Sequence, residues 1–456
     1  MTDLARHVLA SLAGPARQAT EKHLHLALVN LYAAWADDPT LSLALSMSNS
    51  GYKARSRYNP AAASNQIIQV VEGLAKAGYV HGKSGFQDRR MGSGRTTRIW
   101  PTALLIGLFE QARLRGPSIS RVAGVEVIIQ RNAKRKNVEY IDTPDTRAKR
   151  SRLAAYNGLL ARTFIDIPEL EQPVLNMTGG GRLRINQHDK LVRRVFNRSA
   201  WDKGGRFYGG WWQRCPKEWR EKIFINDHPT IEDDYSGLHI VMLYARVGID
   251  YWATVGTTED PYRLDETPGF AGSAAECRAY AKGLLLMAIN ADTDKAAFQA
   301  FRADMRDRKD ARGAGLKDAQ LAVILDALKA KHAPIAEFIG AGAGIDLMNE
   351  DAKITDEIVR LFVLANRPIL TIHDSYIVMF GDDQRLRDAL KQAFAKVTGV
   401  STVHLKRKGL GYGEVTAARS GPRSALEEDG VQRLTEAVNR ERSVGYLQRL
   451  ADFHSC

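Results

Sequence analysis

The pattern of apolar and polar positions near the N-terminus predicts a helix followed by a β-hairpin. Within Asn65–Tyr79, apolar residues recur at helical spacing, at Ile67, Ile68, Val71, Leu74 and Ala75. Gly78 then ends the helix. A strand at Tyr79–Val80, a glycine-rich basic tip and a return strand at Thr97–Trp100 follow. We therefore expect residues 1–115 to be mostly helical, with a short β element at their end.

A strand that runs into two consecutive aspartates forms the first segment with candidate chemistry. Thr230–Glu232 reads as the strand, Asp233 and Asp234 follow, and a helix begins near Gly237. A carboxylate at the end of a strand is well placed to hold Mg²⁺, which binds through one or two carboxylates plus substrate phosphates. Both aspartates can equally cap the helix that follows, so this segment alone leaves the two interpretations open.

A second segment predicts a tight β-hairpin with an acid at its tip. In Pro368–Phe380, apolar residues flank the polar step His373–Ser375, with Asp374 at its centre. An aspartate in a turn often hydrogen-bonds only its own backbone. Here the Ile, Leu and Val residues on both sides predict a buried hairpin around a single acid. This context favours a functional role for Asp374.

A third segment predicts a helix with two cations on one face. A capping box at Ser273 begins the helix, which continues to Ala291. Four side chains at a spacing of four residues follow one face, namely Arg278, Lys282, Leu286 and Asn290. Two cations on an otherwise apolar helix suit a triphosphate. Taken alone, however, such a pair is more typical of a surface helix with solvated side chains.

The charge balance extends this picture toward polyanionic partners. Over 456 residues, 65 Lys and Arg stand against 52 Asp and Glu, a net charge of +13. Such a charge favours nucleic acid as a partner without proving it. The three cysteines have no spacing typical of a disulfide framework or a zinc site. Because we recognise neither a membrane span nor a signal peptide, we expect a cytoplasmic protein with no membrane partner.

Composition also divides the chain into regions. Residues 131–153 are strongly basic and contain a Thr-Pro-Asp turn, so we predict a linker here, either solvated or in contact with phosphates. An N-terminal domain at 1–130 precedes it and a larger core at 154–420 follows it. A helical tail at 421–456 ends the chain, and its sequence indicates no function.

Together the three segments resemble the motifs of family A DNA polymerases and of the related single-subunit RNA polymerases of phages and mitochondria. Asp-Tyr-Ser at Asp234–Ser236 is similar to the first palm motif of the DNA polymerases. Arg278 and Lys282 match the Arg and Lys of their fingers helix. His-Asp-Ser at His373–Ser375 is similar to the last palm motif in its phage RNA polymerase form. The motifs follow the family's order, and the resemblance covers roughly residues 200–380.

A fourth match lies upstream, in Gly204–Arg220. Gly-Arg-Phe-Tyr at Gly205–Tyr208 resembles the Gly-Arg-Val-Tyr of the RNA polymerases. The Gln, Pro and Arg that follow the Gly-Arg step in the DNA polymerases are matched by Gln213, Pro216 and Arg220. In the family this stretch contacts the template–primer. Without the resemblance, Arg206 reads as a surface arginine in a glycine-rich loop.

The resemblance implies an α+β fold. An antiparallel palm sheet would carry short helical fingers and a thumb, and a mostly helical domain would precede it. The implied reaction is two-metal phosphoryl transfer, with two Mg²⁺ ions, or Mn²⁺, held by Asp234, Asp374 and the backbone of Tyr235. Lys282 would protonate the leaving pyrophosphate. Asp233 would be a further ligand or would support the ligands.

The resemblance also implies two sets of contact residues. Expected nucleotide contacts are Arg278, Lys282, Leu286, Asn290 and His239. Expected nucleic-acid contacts are Arg206, Tyr208, Gln213, Arg220 and His373.

Two departures from the family pattern leave the sugar preference open. Asn290 occupies the position of the family's fingers tyrosine and cannot stack in its place. His239 occupies the position at which a DNA polymerase glutamate blocks the ribose 2′-hydroxyl, and its bulk would favour deoxynucleotides. A gapped alignment instead matches Ser236–His239 to a histidine-containing motif of the RNA polymerases.

The helix and basic hairpin near the N-terminus resemble the winged helix-turn-helix modules of replication initiators. Such a module places one helix in the major groove and lets the hairpin reach phosphates. The residues expected to do so are Lys83, Arg89, Arg90, Arg95 and Arg98. A solvated basic hairpin without a ligand is the alternative.

Three functional hypotheses follow. The first is a DNA-directed DNA polymerase that acts on a DNA template and primer with nucleoside triphosphates, in the replication of a mobile element. The second is a primase or small single-subunit RNA polymerase, which the His-Asp-Ser form of the last motif favours. The third is a non-catalytic replication initiator in which only the DNA-binding module works. The sequence identifies no protein partner.

Overall fold

The chain folds into two compact units that divide between Glu126 and Val127. The structure is a computed structural model, and it describes residues 2–12, 21–88, 93–112, 124–177, 181–264, 272–408 and 425–455. We call residues up to 126 the first unit and residues from 127 the second unit, and we describe each by itself.

The first unit is a helical layer with a small antiparallel sheet. Its helices are α1 (Thr2–Ser11), α2 (Glu21–Asp37), α3 (Gln66–Lys76) and α4 (Ala103–Gln111). Its strands are β1 (Leu43–Leu45), β2 (Val80–Lys83), β3 (Phe86–Asp88), β4 (Ser93–Arg95) and β5 (Thr97–Pro101). The sheet has the order β1-β5-β2, and β3 pairs with β4. The predicted helix and hairpin at 65–100 are therefore present, and the apolar face of α3 lies in the core.

Among its described residues, the second unit contains twelve α-helices, α5 to α16, and eleven strands, β6 to β16. The helices are α5 (Pro144–Ala161), α6 (Lys217–Arg220), α7 (Leu238–Arg246), α8 (Tyr251–Val255), α9 (Ala274–Asn290), α10 (Asp294–Asp307), α11 (Ala311–Ala314), α12 (Asp318–Lys331), α13 (Gly344–Leu364), α14 (Asp383–Thr398), α15 (Ala425–Val438) and α16 (Val444–His454). The strands are β6 (Ile128–Gln130), β7 (Ile165–Asp166), β8 (Val174–Asn176), β9 (Arg182–Arg184), β10 (Val192–Phe196), β11 (Gly204–Gly209), β12 (Phe224–Ile225), β13 (His228–Tyr235), β14 (Leu370–Ile372), β15 (Ser375–Met379) and β16 (Leu405–Lys408).

The strand β13 is the axis of the largest sheet, which we call the central sheet. Its order is β14-β15-β13-β12-β7, and β16 pairs with β13 as well. A second sheet has the order β11-β10-β6, in which β6 runs parallel to β10. Helix α13 packs against β11 and α14, so it connects the two sheets through a shared apolar core.

The basic region 131–153 belongs to the second unit, and helix α5 begins within it. The division between the units lies before it, at Glu126 and Val127. Thr143 caps α5 through a capping box with Thr146, and Pro144 occupies the first turn, where a missing backbone N–H costs little. The Thr-Pro-Asp step therefore begins a helix. The basic side chains obscured this start, because they read as a solvated connector.

The C-terminal helix α16 packs against the rest of the second unit. Tyr446 is fully buried and donates a hydrogen bond to Asp227 at 2.8 Å. Arg449 forms an ion pair with the buried Asp166 at 2.8 Å. Both contacts anchor α16 beside β7. Among the described helices, none is long and apolar enough to cross a membrane.

Candidate active site

Asp234 and Asp374, here called the carboxylate pair, come from neighbouring strands of the central sheet. Asp234 lies opposite Ser375 in the ladder between β13 and β15. The next residue, Tyr235, donates its backbone N–H to the carbonyl oxygen of Asp374 at 3.3 Å. Asp374 belongs to the turn between β14 and β15, as the sequence predicts, and both aspartates are half-buried. The fold thus brings together two acids that are 140 positions apart in the sequence.

The turn that carries Asp374 is strained. His373 adopts a left-handed φ of 55°, which is uncommon for a residue other than glycine. Its ring is exposed and meets the ring of Tyr208 edge to face, at 5.8 Å between centroids. Partial desolvation by the neighbouring protein atoms and the charge of Arg206 lower the pKa of His373, while Asp374 acts in the opposite direction. Strained turns are frequent at functional sites.

Asp233 lies on the other face of β13 from Asp234, because successive side chains of a strand alternate. It is fully buried and accepts two hydrogen bonds from Arg407, at 2.9 Å from Nε and 3.0 Å from Nη2. The same guanidinium reaches Asp383 at 3.3 Å. Of the two roles expected for Asp233, direct metal ligation does not fit these contacts, because both of its oxygens accept from Arg407, and support of the neighbouring ligands stays a prediction.

The charge of Asp374 acts on a ring of surrounding groups. These groups are Asp351, His239, His373, Tyr262 and Tyr376. Burial, followed by the negative charge of Asp374, raises the pKa of Tyr262. Side chains from α7, α13, β15 and the loop before α9 therefore lie within electrostatic reach of Asp374.

Arg206 connects β11 with α13 and α7. It extends from β11, and its Nε donates to Asp351 Oδ2 at 2.6 Å. Its Nη2 lies 3.1 Å from Nε2 of His239. Burial and the charge of Arg206 lower the pKa of His239 to about 4, although Asp374 opposes the shift. The sequence predicted Arg206 and His239 as site residues but gave no sign of Asp351.

The predicted cation pair lies on α9, whose capping box at Ser273 and Glu276 is present. Arg278 forms an ion pair with Asp260, and its guanidinium lies 5.7 Å from the ring centroid of Tyr262. Lys282 Nζ lies 5.4 Å from the same ring. Tyr262, whose pKa Asp374 influences, thus links the cation pair to the carboxylate pair. Lys282 is exposed and Arg278 half-buried.

Leu286 and Asn290, which follow Lys282 on the same face of α9, lie in different surroundings from the cation pair. Leu286 is half-buried, and its carbonyl accepts a hydrogen bond from the side chain of Asn290 at 2.7 Å. Asn290 also packs against Gly344, where an added Cβ would lie 2.0 Å from its Oδ1. Asn290 is therefore engaged with its own helix and with the start of α13, and its role toward a nucleotide stays a prediction.

Lys406 is a cation that the sequence analysis missed. It lies directly opposite Asp234 in the ladder between β13 and β16, so both side chains share one face of the sheet. Lys406 is exposed, and its charge lowers the pKa of Asp260, the partner of Arg278. Burial raises the pKa of Asp260, but the hydrogen bonds from Arg278 and from the backbone of Tyr262, together with the charges of Arg278 and Lys406, lower it overall. Lys406 is therefore a neighbour of Asp234 whose charge also reaches Asp260.

The remaining predicted contacts with nucleic acid differ in their surroundings. Tyr208 is exposed on β11. Gln213 donates to the carbonyls of Phe207 and Thr371, at 3.1 and 2.9 Å, and thereby joins β11 to β14. Arg220 lies 3.7 Å from the buried Glu232. Gln213 and Arg220 thus have intramolecular partners, whereas Tyr208 and His373 present exposed rings.

The basic hairpin of the first unit presents its cations outward where they are described. Lys83 and Arg95 are exposed, and the guanidinium of Arg98 lies 5.7 Å from the ring centroid of Trp100. Arg89 and Arg90 lie outside the described residues.

The carboxylate pair fits a Mg²⁺ ion whose coordination is completed by substrate. Mg²⁺ takes oxygen ligands and is commonly held by one or two carboxylates, with water and phosphate oxygens in the other positions. Across the described residues, no group of three or more His, Cys, Asp or Glu side chains is arranged to hold a metal ion. The half-buried carboxylate pair and the nearby cations are the donor set and the phosphate ligands that such a site needs.

Comparisons with known proteins add little to this geometry. No protein-family model matches the sequence, and no curated protein matches it. One similar solved structure is the POL domain of Pol1 from M. smegmatis in complex with DNA primer-template and dNTP. The alignment covers 90% of this chain and 69% of that chain, at 12% identity and a TM-score of 0.33. At this TM-score the likeness does not establish a shared fold.

Proposed function

We propose that this chain is a template-directed nucleic-acid polymerase, and specifically a DNA-directed DNA polymerase. The observation that carries the proposal is the convergence of the carboxylate pair with the cations of α9 and β16. Asp234 and Asp374 adjoin in the central sheet, and Tyr262 and Asp260 connect them to Arg278, Lys282 and Lys406. Polymerisation of nucleotides needs both, because acids hold the metal ions and cations hold the triphosphate.

The residues of the chain divide the chemical work. Asp234, Asp374 and the backbone carbonyl of Tyr235 would hold Mg²⁺, which supplies activation of a 3′-hydroxyl and neutralisation of the leaving pyrophosphate. Arg278 would exchange Asp260 for a phosphate oxygen. Lys282 carries a proton at Nζ, and its place on the same helix face suits transfer of that proton to the pyrophosphate.

A second group of residues would position the primer and the sugar of the nucleotide. Arg206 is half-buried between α13 and α7 and would contact the nucleic-acid backbone near the primer end. His239, near Asp374, would meet the sugar of the incoming nucleotide, and its bulk favours deoxynucleotides. Tyr208 and His373 offer exposed rings to the template–primer.

The first unit is proposed to be a winged-helix DNA-binding module. Its order of helix, strand, helix and β-hairpin supports this, as do the exposed cations Lys83 and Arg95 on the hairpin. A polymerase joined to such a module suits the replication of a mobile element. Duplex binding that stays unchanged when Lys83, Arg95 and Arg98 are replaced by alanine would contradict this part of the proposal.

A primase or small RNA polymerase is the second candidate, because the last motif reads His-Asp-Ser. In the structure the hydroxyl of Ser375 donates to the buried Glu232 at 2.5 Å. Ser375 therefore has a structural partner, and its presence does not by itself favour an RNA polymerase. A non-catalytic initiator is disfavoured, since a sheet without catalysis has no physical reason to keep the carboxylates of Asp234 and Asp374 on adjoining strands.

Primer extension tests the proposal. The full chain is incubated with a primed template and Mg²⁺, with dNTPs and rNTPs in separate reactions, a lane without primer and an Asp234→Ala control. We expect dNTP incorporation that Asp234→Ala abolishes. Products without primer would favour the primase, and rNTP incorporation the RNA polymerase. No incorporation under any of these conditions would exclude a catalytic function and favour the initiator.

A further inference from the structure

Asp351 is a buried acid in the middle of α13 that the proposed chemistry does not use. Only 1% of its surface is exposed. Burial raises its pKa to about 6, with Asp374 adding to the shift and Arg206 opposing it. Its Oδ1 is buried and accepts no hydrogen bond from any described residue. A carboxylate in such surroundings costs stability, so its contact with Arg206 calls for an explanation beyond packing.

The geometry of Arg206 fixes the hydrogen-bonding state of His239. A guanidinium has five N–H donors and no acceptor. At 3.1 Å from Arg206 Nη2, Nε2 of His239 must therefore be the acceptor, which leaves the ring neutral with its proton on Nδ1. Asp351 holds Nε of the same guanidinium at 2.6 Å, so the direction of Nη2 depends on Asp351.

We infer that Asp351 is a positioning residue that acts through Arg206 to hold the His239 ring in one orientation and one tautomer, and thereby makes the ring a rigid barrier to a ribose 2′-hydroxyl. The inference rests on the proposed polymerase function. A ring clamped at Nε2 cannot turn aside for an additional oxygen. A ring released from Arg206 can rotate and can offer either nitrogen to a 2′-hydroxyl, which both donates and accepts hydrogen bonds.

Asp356 provides a matched control on the same helix. It also forms an ion pair with arginines, at 2.8 Å from Arg152 and 3.2 Å from Arg194. It has no contact with Arg206 or His239 among its described partners. An effect of charge loss on α13 in general would appear in Asp356→Asn, whereas an effect on the sugar barrier would appear only in Asp351→Asn.

The first test measures sugar selection by primer extension. For Asp351→Asn, we expect the ratio of kcat/KM for dNTP to that for rNTP to fall about tenfold to a hundredfold, the size of one charge-assisted hydrogen bond. The change should appear mainly as a lower KM for rNTP. Asp356→Asn should keep the wild-type ratio. A folded Asp351→Asn enzyme with the wild-type ratio would overturn the inference.

A second test does not depend on activity. In protein with ¹⁵N-labelled histidine, the His239 signals are assigned by their loss in His239→Gln. We expect the neutral Nδ1–H tautomer in wild type and in Asp356→Asn, and a mixture of tautomers in Asp351→Asn. If Asp351→Asn does not fold, Arg206→Lys tests the same clamp, because lysine has one donor nitrogen and cannot reach Asp351 and His239 through two separate nitrogens as Nε and Nη2 of Arg206 do.

The two tests separate failure of the inference from failure of the proposed function. A wild-type chain that incorporates no nucleotide but shows one His239 tautomer, lost in Asp351→Asn, would refute the polymerase and the sugar barrier while the clamp itself stands. An active polymerase in which Asp351→Asn changes neither the His239 tautomer nor the dNTP-to-rNTP ratio of kcat/KM would refute the inference alone.

Discussion

Two consecutive acids of β13, Asp233 and Asp234, lie on opposite faces of the strand and in opposite surroundings. On the face covered by α14, Asp233 is fully buried, and its two carboxylate oxygens accept hydrogen bonds from Nε and Nη2 of Arg407. On the other face, Asp234 is half-buried and shares its surroundings with Ser375 and the exposed Lys406. The same residue type thus stabilises the fold at one position and offers a ligand at the next. Sequence proximity cannot distinguish them, because the alternation of a strand alone separates their environments.

The sharpest test of this comparison is the loss of catalysis on one face only. We expect Asp374→Asn to reduce nucleotide incorporation by about 10³-fold or more, because a neutral amide is a poor ligand for Mg²⁺. DNA binding and thermal stability should stay close to those of the wild type. The measurement is single-nucleotide incorporation at saturating Mg²⁺, beside a gel-shift assay. Loss of DNA binding together with activity would instead indicate a folding role for Asp374.

The sequence was sufficient for those parts of the site that depend on local pattern. The hairpin around Asp374, the strand before Asp234 and the capped helix with Arg278 and Lys282 all follow from periodicity and capping. Each signal lies within one short segment, where spacing alone decides which side chains share a face. These elements were therefore predictable before their assembly was known.

The residues that complete the site depend on pairing between distant segments. Lys406 meets Asp234 only because β16 pairs with β13 across about 170 positions. Asp351 belongs to an ordinary amphipathic helix, and its contact with Arg206 spans 145 positions. Arg407 separates Asp233 from the site in the same non-local way. No short-range pattern encodes such contacts, so a single sequence could not reveal them.

Stability should respond on the covered face of β13. We expect Asp233→Asn to lower the free energy of unfolding by about 3–5 kcal/mol, because it leaves Arg407 buried beside a neutral partner. Urea denaturation measures the change. Asp234→Asn is the matched control and should change stability by less than about 1 kcal/mol. Equal stability in Asp233→Asn and the wild type would show that the ion pair does not hold this face.

Lys190 is a buried cation with neutral partners and so contrasts with Arg407. Its Nζ donates to the carbonyls of Ala161 and Thr163, and lies 4.6 Å from the ring centroid of Phe453 on α16. Burial lowers its pKa to about 7. Between pH about 7 and the ordinary pKa of lysine, Lys190 is protonated in the unfolded chain and mostly neutral in the folded one. The unfolded chain then binds more protons, so stability rises with pH.

A lysine-to-methionine change tests that contrast. Relative to Lys190→Met, the wild type should gain about 2–4 kcal/mol of unfolding free energy between pH 7 and pH 10, with the gain limited by the favourable ring contact of the charged form. Urea titrations at several pH values give the difference. A constant difference across this range would mean that Lys190 keeps its ordinary pKa despite its burial.

The smallest expected effect concerns the open face of β13. Lys406→Met should raise the KM for the nucleotide about tenfold and leave kcat nearly unchanged, because a phosphate contact present before and during the reaction contributes to binding alone. One charge-assisted contact corresponds to a change of this size. Steady-state incorporation over a range of dNTP concentrations measures both constants.

Lys391, an exposed lysine on α14, is the matched control for Lys406, since Lys391→Met removes an equal charge elsewhere on the second unit. A similar KM in both variants would show that only the overall charge matters. A fall in kcat with Lys406→Met at unchanged KM would instead assign Lys406 to the transition state. Either result would change the role of the open face of β13, because Lys406 and Asp234 are direct neighbours on that face.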